Sequence, residues 1–97
     1  MEKIARMSEV KDKKCISVKG KHLALFKVKD TFYCIDNTCP HANGPLCEGI
    51  LDGFLISCPW HSSEFDVRDG LVKRGPAKTN VQFYKLTIKG EDIFIDV

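Results

Sequence analysis

The chain has 97 residues, 43% of them hydrophobic and 29% charged, with a formal net charge of +2. That composition supplies a small core and excludes a disordered chain, and so slight and scattered a positive balance excludes a nucleic-acid-binding surface. The longest apolar run, Leu23–Phe26, falls far short of the ~20 residues a membrane span needs, and MEKIARMSEVK is charged where a secretory leader would be apolar.

Short β-type runs separated by turn residues follow one another with almost no helical period. Lys3–Arg6 reads as a first strand, and Ser8 as the N-cap of a helical turn over Glu9–Lys11. Cys15–Val18, Leu23–Lys29 and Thr31–Ile35 read as strands, the last two joined by a turn at Lys29–Asp30. Asn37–Gly53 holds two Pro, three Gly, two Cys and a His without alternation, and reads as a loop. Phe54–Ser57 is a strand and Cys58–Ser63 a second loop. Glu64–Val67 is a strand ending in a turn at Arg68–Asp69–Gly70, before a third loop, Lys73–Thr79, that contains Gly75–Pro76–Ala77. Tyr84–Lys89 and Asp92–Val97 alternate apolar with polar (Leu86, Ile88, Ile93, Ile95) around Gly90–Glu91, the pattern of a terminal hairpin. The expectation is one antiparallel all-β domain over 1–97, of sandwich or small-barrel type, soluble, cytoplasmic and monomeric.

No phosphate-loop, dinucleotide or zincin motif is present. Cysteine is the unusual residue: five in a chain of this kind point to metal more than to disulfides. The two irregular loops carry the same chemistry twice, Cys39–Pro40–His41 and Cys58–Pro59–Trp60–His61, separated by sixteen residues. Each half offers one thiolate and one imidazole. Zinc accepts such a set, but its usual loops pair like ligands, C-x2–4-C and H-x3–5-H. A diiron-disulfide cluster with two Cys on one iron and two His on the other requires each loop to reach both irons, and so requires the mixing seen here.

The stretch CPHANGPLCEGILDGFLISCPWHSSEFDVRDG resembles the cluster-binding region of Rieske-type [2Fe-2S] ferredoxins, with TFYCIDN leading into it and RGPA similar to the family's proline loop. The resemblance implies an antiparallel β-sandwich with a small subdomain carrying two ligand loops, about 37–48 and 57–65, covered by a proline loop at about 73–79. It implies that Cys39 and Cys58 bind an inner iron while His41 and His61 bind an outer one near the surface. High-potential members have a Ser and a Tyr after the second His that donate hydrogen bonds to cluster and cysteine sulfur; Ser63 matches the first, and Phe65 stands at the second. Membrane-complex members bridge the two loops with a further Cys pair, where this chain has Gly44 and Trp60. These departures point to the lower part of the ~ −150 to +300 mV Rieske range.

An oxygenase catalytic subunit needs a second iron held by two His and a carboxylate, and only His22 remains. The reading is therefore a one-electron carrier, not an enzyme, and the resemblance to lower-potential soluble members implies that it takes electrons from an NAD(P)H-dependent reductase and gives them to an oxygenase. Two further readings belong to other classes: a small Rieske-type subunit of a larger reductase such as nitrite reductase, and a structural zinc module. Cys34 reads as a buried core residue and Cys47 as packing near the cluster. Cys15 reads as strand interior or partly exposed, without an identifiable partner, and a Cys34–Cys47 disulfide is disfavoured. His22 reads as a surface strand residue and Trp60 as either a cluster shield or core. Lys73, Arg74 and Lys78 read as a solvated face that can serve docking to an acidic partner.

Overall fold

The computed structural model describes residues 1–40, 43–60 and 62–96. Among these, the chain forms β1 (Glu2–Arg6), β2 (Lys13–Val18), β3 (Lys21–Val28), β4 (Thr31–Asp36), β5 (Ile50–Asp52), β6 (Leu55–Ser57), β7 (Glu64–Asp66), β8 (Val72–Arg74), β9 (Phe83–Tyr84), β10 (Leu86–Lys89) and β11 (Asp92–Ile95). Met7–Glu9 and Leu46–Glu48 are short 3-10 turns. The strands form three sheets in the orders β1-β11-β10, β2-β3-β4-β9 and β5-β6-β7-β8. Every pairing between them is antiparallel, as expected from the sequence.

β3 explains the layering. Successive side chains of a strand point to opposite faces, and here both faces are covered. Leu23 and Leu25 enter one core with Ala5, Val10, Ile16, Cys34, Ile93 and Ile95, between the two base sheets. Ala24, Phe26 and Val28 enter a second core with Ile35, Leu46, Ile56, Phe65, Val67 and Val81, under the sheet β5–β8. That is why Leu23–Phe26 is an unbroken apolar run and not an alternation. Burying one Leu or Phe side chain fully contributes about 1.5–3 kcal/mol, so β3 is the common wall of two cores.

The turns at Lys29–Asp30 and Gly90 form as expected, with Lys29 and Asp30 both at positive φ (51° and 64°) in the hairpin joining β3 to β4. The helical turn is displaced: it spans Met7–Glu9, not Glu9–Lys11, and Ser8 lies inside it. Tertiary contacts set its position. The Met7 N–H donates to the Glu91 carbonyl at 2.7 Å, the Arg6 N–H donates to Glu9 Oε1 at 2.7 Å, and Val10 drops into the core. β5 lies inside the segment read as a loop, and β8 overlaps the start of the third loop. Both are three-residue strands defined by their partners and not by local pattern. The run read as one strand over Tyr84–Lys89 is two: β9 pairs with β4 and β10 pairs with β11, the chain changing sheets at Lys85.

Candidate metal centre

The segment between β4 and β9 carries three loops that meet at one end of the molecule. The first is tied at its root by Asn37. Its N–H donates to the His22 carbonyl (2.9 Å), its carbonyl accepts from the Leu46 N–H (2.7 Å), and its Oδ1 accepts from the Cys47 N–H (2.7 Å). A bridge between Thr38 and Pro45 continues the pairing. The Cys39 N–H donates to the Gly44 carbonyl (2.9 Å) and the Asn43 N–H to the Cys39 carbonyl (2.8 Å), which curls the tip around Cys39. In the second loop the Cys58 N–H donates to the Ser63 carbonyl at 2.7 Å. Each tip contains a non-glycine residue in the left-handed region, Asn43 at φ 59° and Ser62 at φ 60°. Asn tolerates that conformation better than Ser.

The two loops bring Cys39 and Cys58 together, both buried. Gly44 links them, its carbonyl accepting from the Cys39 N–H and its backbone lying against Cys58 Sγ. Burial pushes the Cys58 thiol above its ordinary value, the backbone N–H groups of Trp60 and Gly44 aimed at its sulfur pull the other way, and Cys39 raises it further. Gly44 allows the approach: a Cβ there would lie 2.7 Å from Cys58 Sγ and 3.3 Å from Trp60 Cγ. Trp60 is 51% exposed, so it lies across the tip and is not the core residue that was one of its two readings. His41 and His61 lie outside the described residues.

The third loop closes over the second. Gly75–Pro76 is a cis peptide, Ala77 is buried, and the Ala77 N–H donates to the hydroxyl oxygen of the fully buried Ser63 at 2.9 Å. Pro76 and Pro40 line one open cleft of about 310 Å³ with Lys78 and Thr79, which sets the third loop beside the first. Lys73, Arg74 and Lys78 are exposed, with Arg74 4.0 Å from Glu64. Phe65 is fully buried on β7. Also on this sheet, buried Asp66 accepts from the backbone N–H (2.9 Å), Nε (2.9 Å) and a terminal nitrogen (2.7 Å) of Arg68. Those hydrogen bonds hold the Asp66 carboxyl below its ordinary value of 3.8, and the guanidinium lies 4.0 Å over the Phe54 ring.

The remaining cysteines divide by face. Cys34 is buried in the first core, and burial, with Asp36 nearby, pushes its thiol up to about 12. It cannot reach Cys47, which lies in the second core. Cys47 is instead bonded to Cys15, with a Cα–Cα distance of 5.2 Å. The partner that sequence reasoning missed follows from strand parity. Ile16 faces the first core, so Cys15 must face the side on which the first loop sits. His22 is exposed on β3, its Nδ1 3.1 Å from Ser17 Oγ, as a surface strand residue should be.

Two adjacent, buried sulfur donors with backbone N–H groups directed at one of them suit a metal held by thiolates, because soft ligands in a dry setting favour iron–sulfur chemistry. The sequence comparisons agree. The Rieske [2Fe-2S] domain profile matches residues 1–85, and the chain belongs to that family. The ferredoxin component of the naphthalene 1,2-dioxygenase system of Pseudomonas aeruginosa is 37% identical over 82 residues, 84% of this chain and 79% of that protein. The solved Sphingomonas yanoikuyae B1 ferredoxin superposes with a TM-score of 0.94 at 30% identity, covering 98% of this chain and 96% of that one. A chain in the solved complex of reduced oxygenase and oxidized ferredoxin in carbazole 1,9a-dioxygenase superposes with a TM-score of 0.90 at 28% identity, covering 96% and 89%. The protein is a Rieske-type ferredoxin with a [2Fe-2S] cluster, a carrier of electrons and not a catalyst. Among the described residues no helix is long and apolar enough to cross a membrane.

Proposed function

We propose that Cys39 and Cys58 hold one iron of the cluster and His41 and His61 the other. On this reading residues 1–97 form a single Rieske domain that takes electrons from an NAD(P)H-dependent reductase and delivers them to an oxygenase in the cytoplasm. The observation that carries the ligand assignment is the convergence of buried Cys39 and Cys58 on either side of Gly44, each cysteine beginning a Cys–Pro segment that ends in His. Bound there, the cluster stores one electron. The two cysteines would supply negative charge in a dry pocket, and the two imidazoles would be neutral ligands. The backbone N–H groups of Gly44 and Trp60 polarise the Cys58 sulfur. The oxygenase assignment rests on the relatives: the naphthalene dioxygenase and p-cumate dioxygenase ferredoxin components are 37% and 35% identical to this chain. Lys73, Arg74 and Lys78 beside the tip suit an acidic partner surface, so transfer should slow as salt rises.

An EPR-monitored redox titration, with iron and sulfide analysis, tests this directly. A Rieske signal in the reduced protein, with a potential near or below about −100 mV, is the expected result. Its loss in both His41→Ala and Cys58→Ala supports the ligand set. A normal cluster spectrum in either variant overturns that set, and a clearly positive potential overturns the NAD(P)H-fed route.

A further inference from the structure

Cys15 and Cys47 have no role in cluster ligation, yet they join the first ligand loop to the base of the molecule. The loop's other ties run mostly within itself: Asn37 to Leu46 and Cys47, Thr38 to Pro45, and Cys39 to Gly44. The backbone bond from Asn37 to His22 secures only its root. The far arm, Leu46–Glu48, is fixed by the burial of Leu46 and by the Cys15–Cys47 bond to β2. The two cysteines differ in access, Cys15 being exposed on β2 and Cys47 being buried. Cys34, buried on the other face of the same sheet, is kept out of the exchange.

We propose that Cys15 and Cys47 form a reversible thiol–disulfide site, modified by small thiols and disulfides of the glutathione type, whose closed form clamps the first ligand loop and retains the cluster. The clamping part rests on the ligand reading above; the exchange chemistry does not. In closing, the Cys15 thiolate attacks one sulfur of the small disulfide and expels one small thiolate. The Cys47 thiolate then attacks the Cys15 sulfur of the mixed disulfide and expels the second. The protein gives up two electrons and two protons, and the small disulfide becomes two thiols. Opening is the reverse, with a small thiol attacking exposed Cys15 and Cys47 leaving. In a reducing compartment the open form is favoured, and oxidising conditions close it.

The test uses the protein as isolated, equilibrated in glutathione buffers from fully reduced to fully oxidised, then acid-quenched, alkylated and digested. The peptide pair linked through Cys15 and Cys47 should rise and fall reversibly with the buffer. The closed form should melt on the order of 10 °C higher than the open form and release iron to a chelator several-fold more slowly. Cys15→Ser, a change at an exposed position, should match the open form in every buffer. Absence of the linked peptide at all poises, or linkage that fails to reverse, overturns the exchange site. Linkage with equal rates of iron release overturns the clamp. Should the isolated protein hold no cluster, the ligand reading fails, while the linked peptide and the melting shift still decide the exchange site.

Discussion

Ser63 and Ala77 meet through a hydrogen bond of 2.9 Å in which the Ala77 backbone N–H donates and the Ser63 hydroxyl oxygen accepts. The oxygen being occupied as an acceptor, the hydroxyl proton is left to point elsewhere, and Ser63 is fully buried at the root of the second ligand loop. One contact thus latches the third loop to the root of the second ligand loop and leaves the Ser63 hydroxyl proton free to donate.

If that donor reaches a cluster or cysteine sulfur, Ser63→Ala should lower the reduction potential by roughly 65–130 mV, the one-electron equivalent of one lost hydrogen bond to a charged acceptor. Phe65→Tyr, which adds a hydroxyl on the neighbouring strand, should raise it by a similar amount. Protein-film voltammetry of both variants measures this. Unchanged potential in Ser63→Ala would mean that its proton serves only the protein.

Gly44→Ala should fail to hold a normal complement of iron. The added methyl would lie 2.7 Å from Cys58 Sγ, and overpacking of this kind costs about 1–3 kcal/mol. Iron content and the visible absorbance of freshly purified variant and parent, compared side by side, give the answer; full loading would show that the two tips can part without losing the site.

Alkaline pH should destabilise the fold through Cys34. Its thiol is raised from 9.0 to about 12 by burial and by Asp36, so the folded protein keeps a proton that the unfolded chain releases. Stability is complete below pH 9.0 and declines as pH climbs toward about 12, with a slope of up to about 1.4 kcal/mol per pH unit for one group. Tyr84, half-buried and donating to Asp36 at 2.7 Å, is shifted in the same direction and adds to the decline. Urea midpoints across this range should fall less steeply in Cys34→Ala than in the parent.

The acid side depends on Asp66. Hydrogen bonds from Arg68 lower its carboxyl below 3.8, so the unfolded chain takes up a proton before the folded one does. The stabilisation is present above pH 3.8 and is lost as pH falls through the lower folded value. Asp66→Asn should be less stable at neutral pH and show a flatter stability profile below pH 3.8. An acid titration followed by circular dichroism, with identical profiles for variant and parent, would dismiss the pair as a contributor.

The all-β architecture was legible because it is local, in the period-two alternation of Leu86–Lys89 and Asp92–Ile95, and so was the convergence of Cys39 and Cys58, each of which opens a Cys–Pro segment. The parts that were not legible depend on distant partners. β5 and β8 are short strands that exist because β6 and β7 receive them. The break at Lys85 appears only when β9 is drawn to β4 and β10 to β11. The bond between Cys15 and Cys47 spans a sequence separation of 32, too far for spacing to suggest. The turn read over Glu9–Lys11 moved because the pull of Val10 into the core outweighs the capping preference of Ser8.

The pairing of β4 with β9 places Ile35 opposite Phe83, and the Asp36 N–H donates to the Gln82 carbonyl at 2.9 Å. The chain thus departs from the base sheets and returns to them at a single doorway, with everything between belonging to the redox end. Such a segment is a cassette. It can be exchanged whole between different bases, or diversified in place, without re-registering a strand outside it. The conditions for a successful graft are few: a matching floor of Ala24, Phe26 and Ile35 beneath it, and a cysteine at position 15 if the incoming loop carries one at 47.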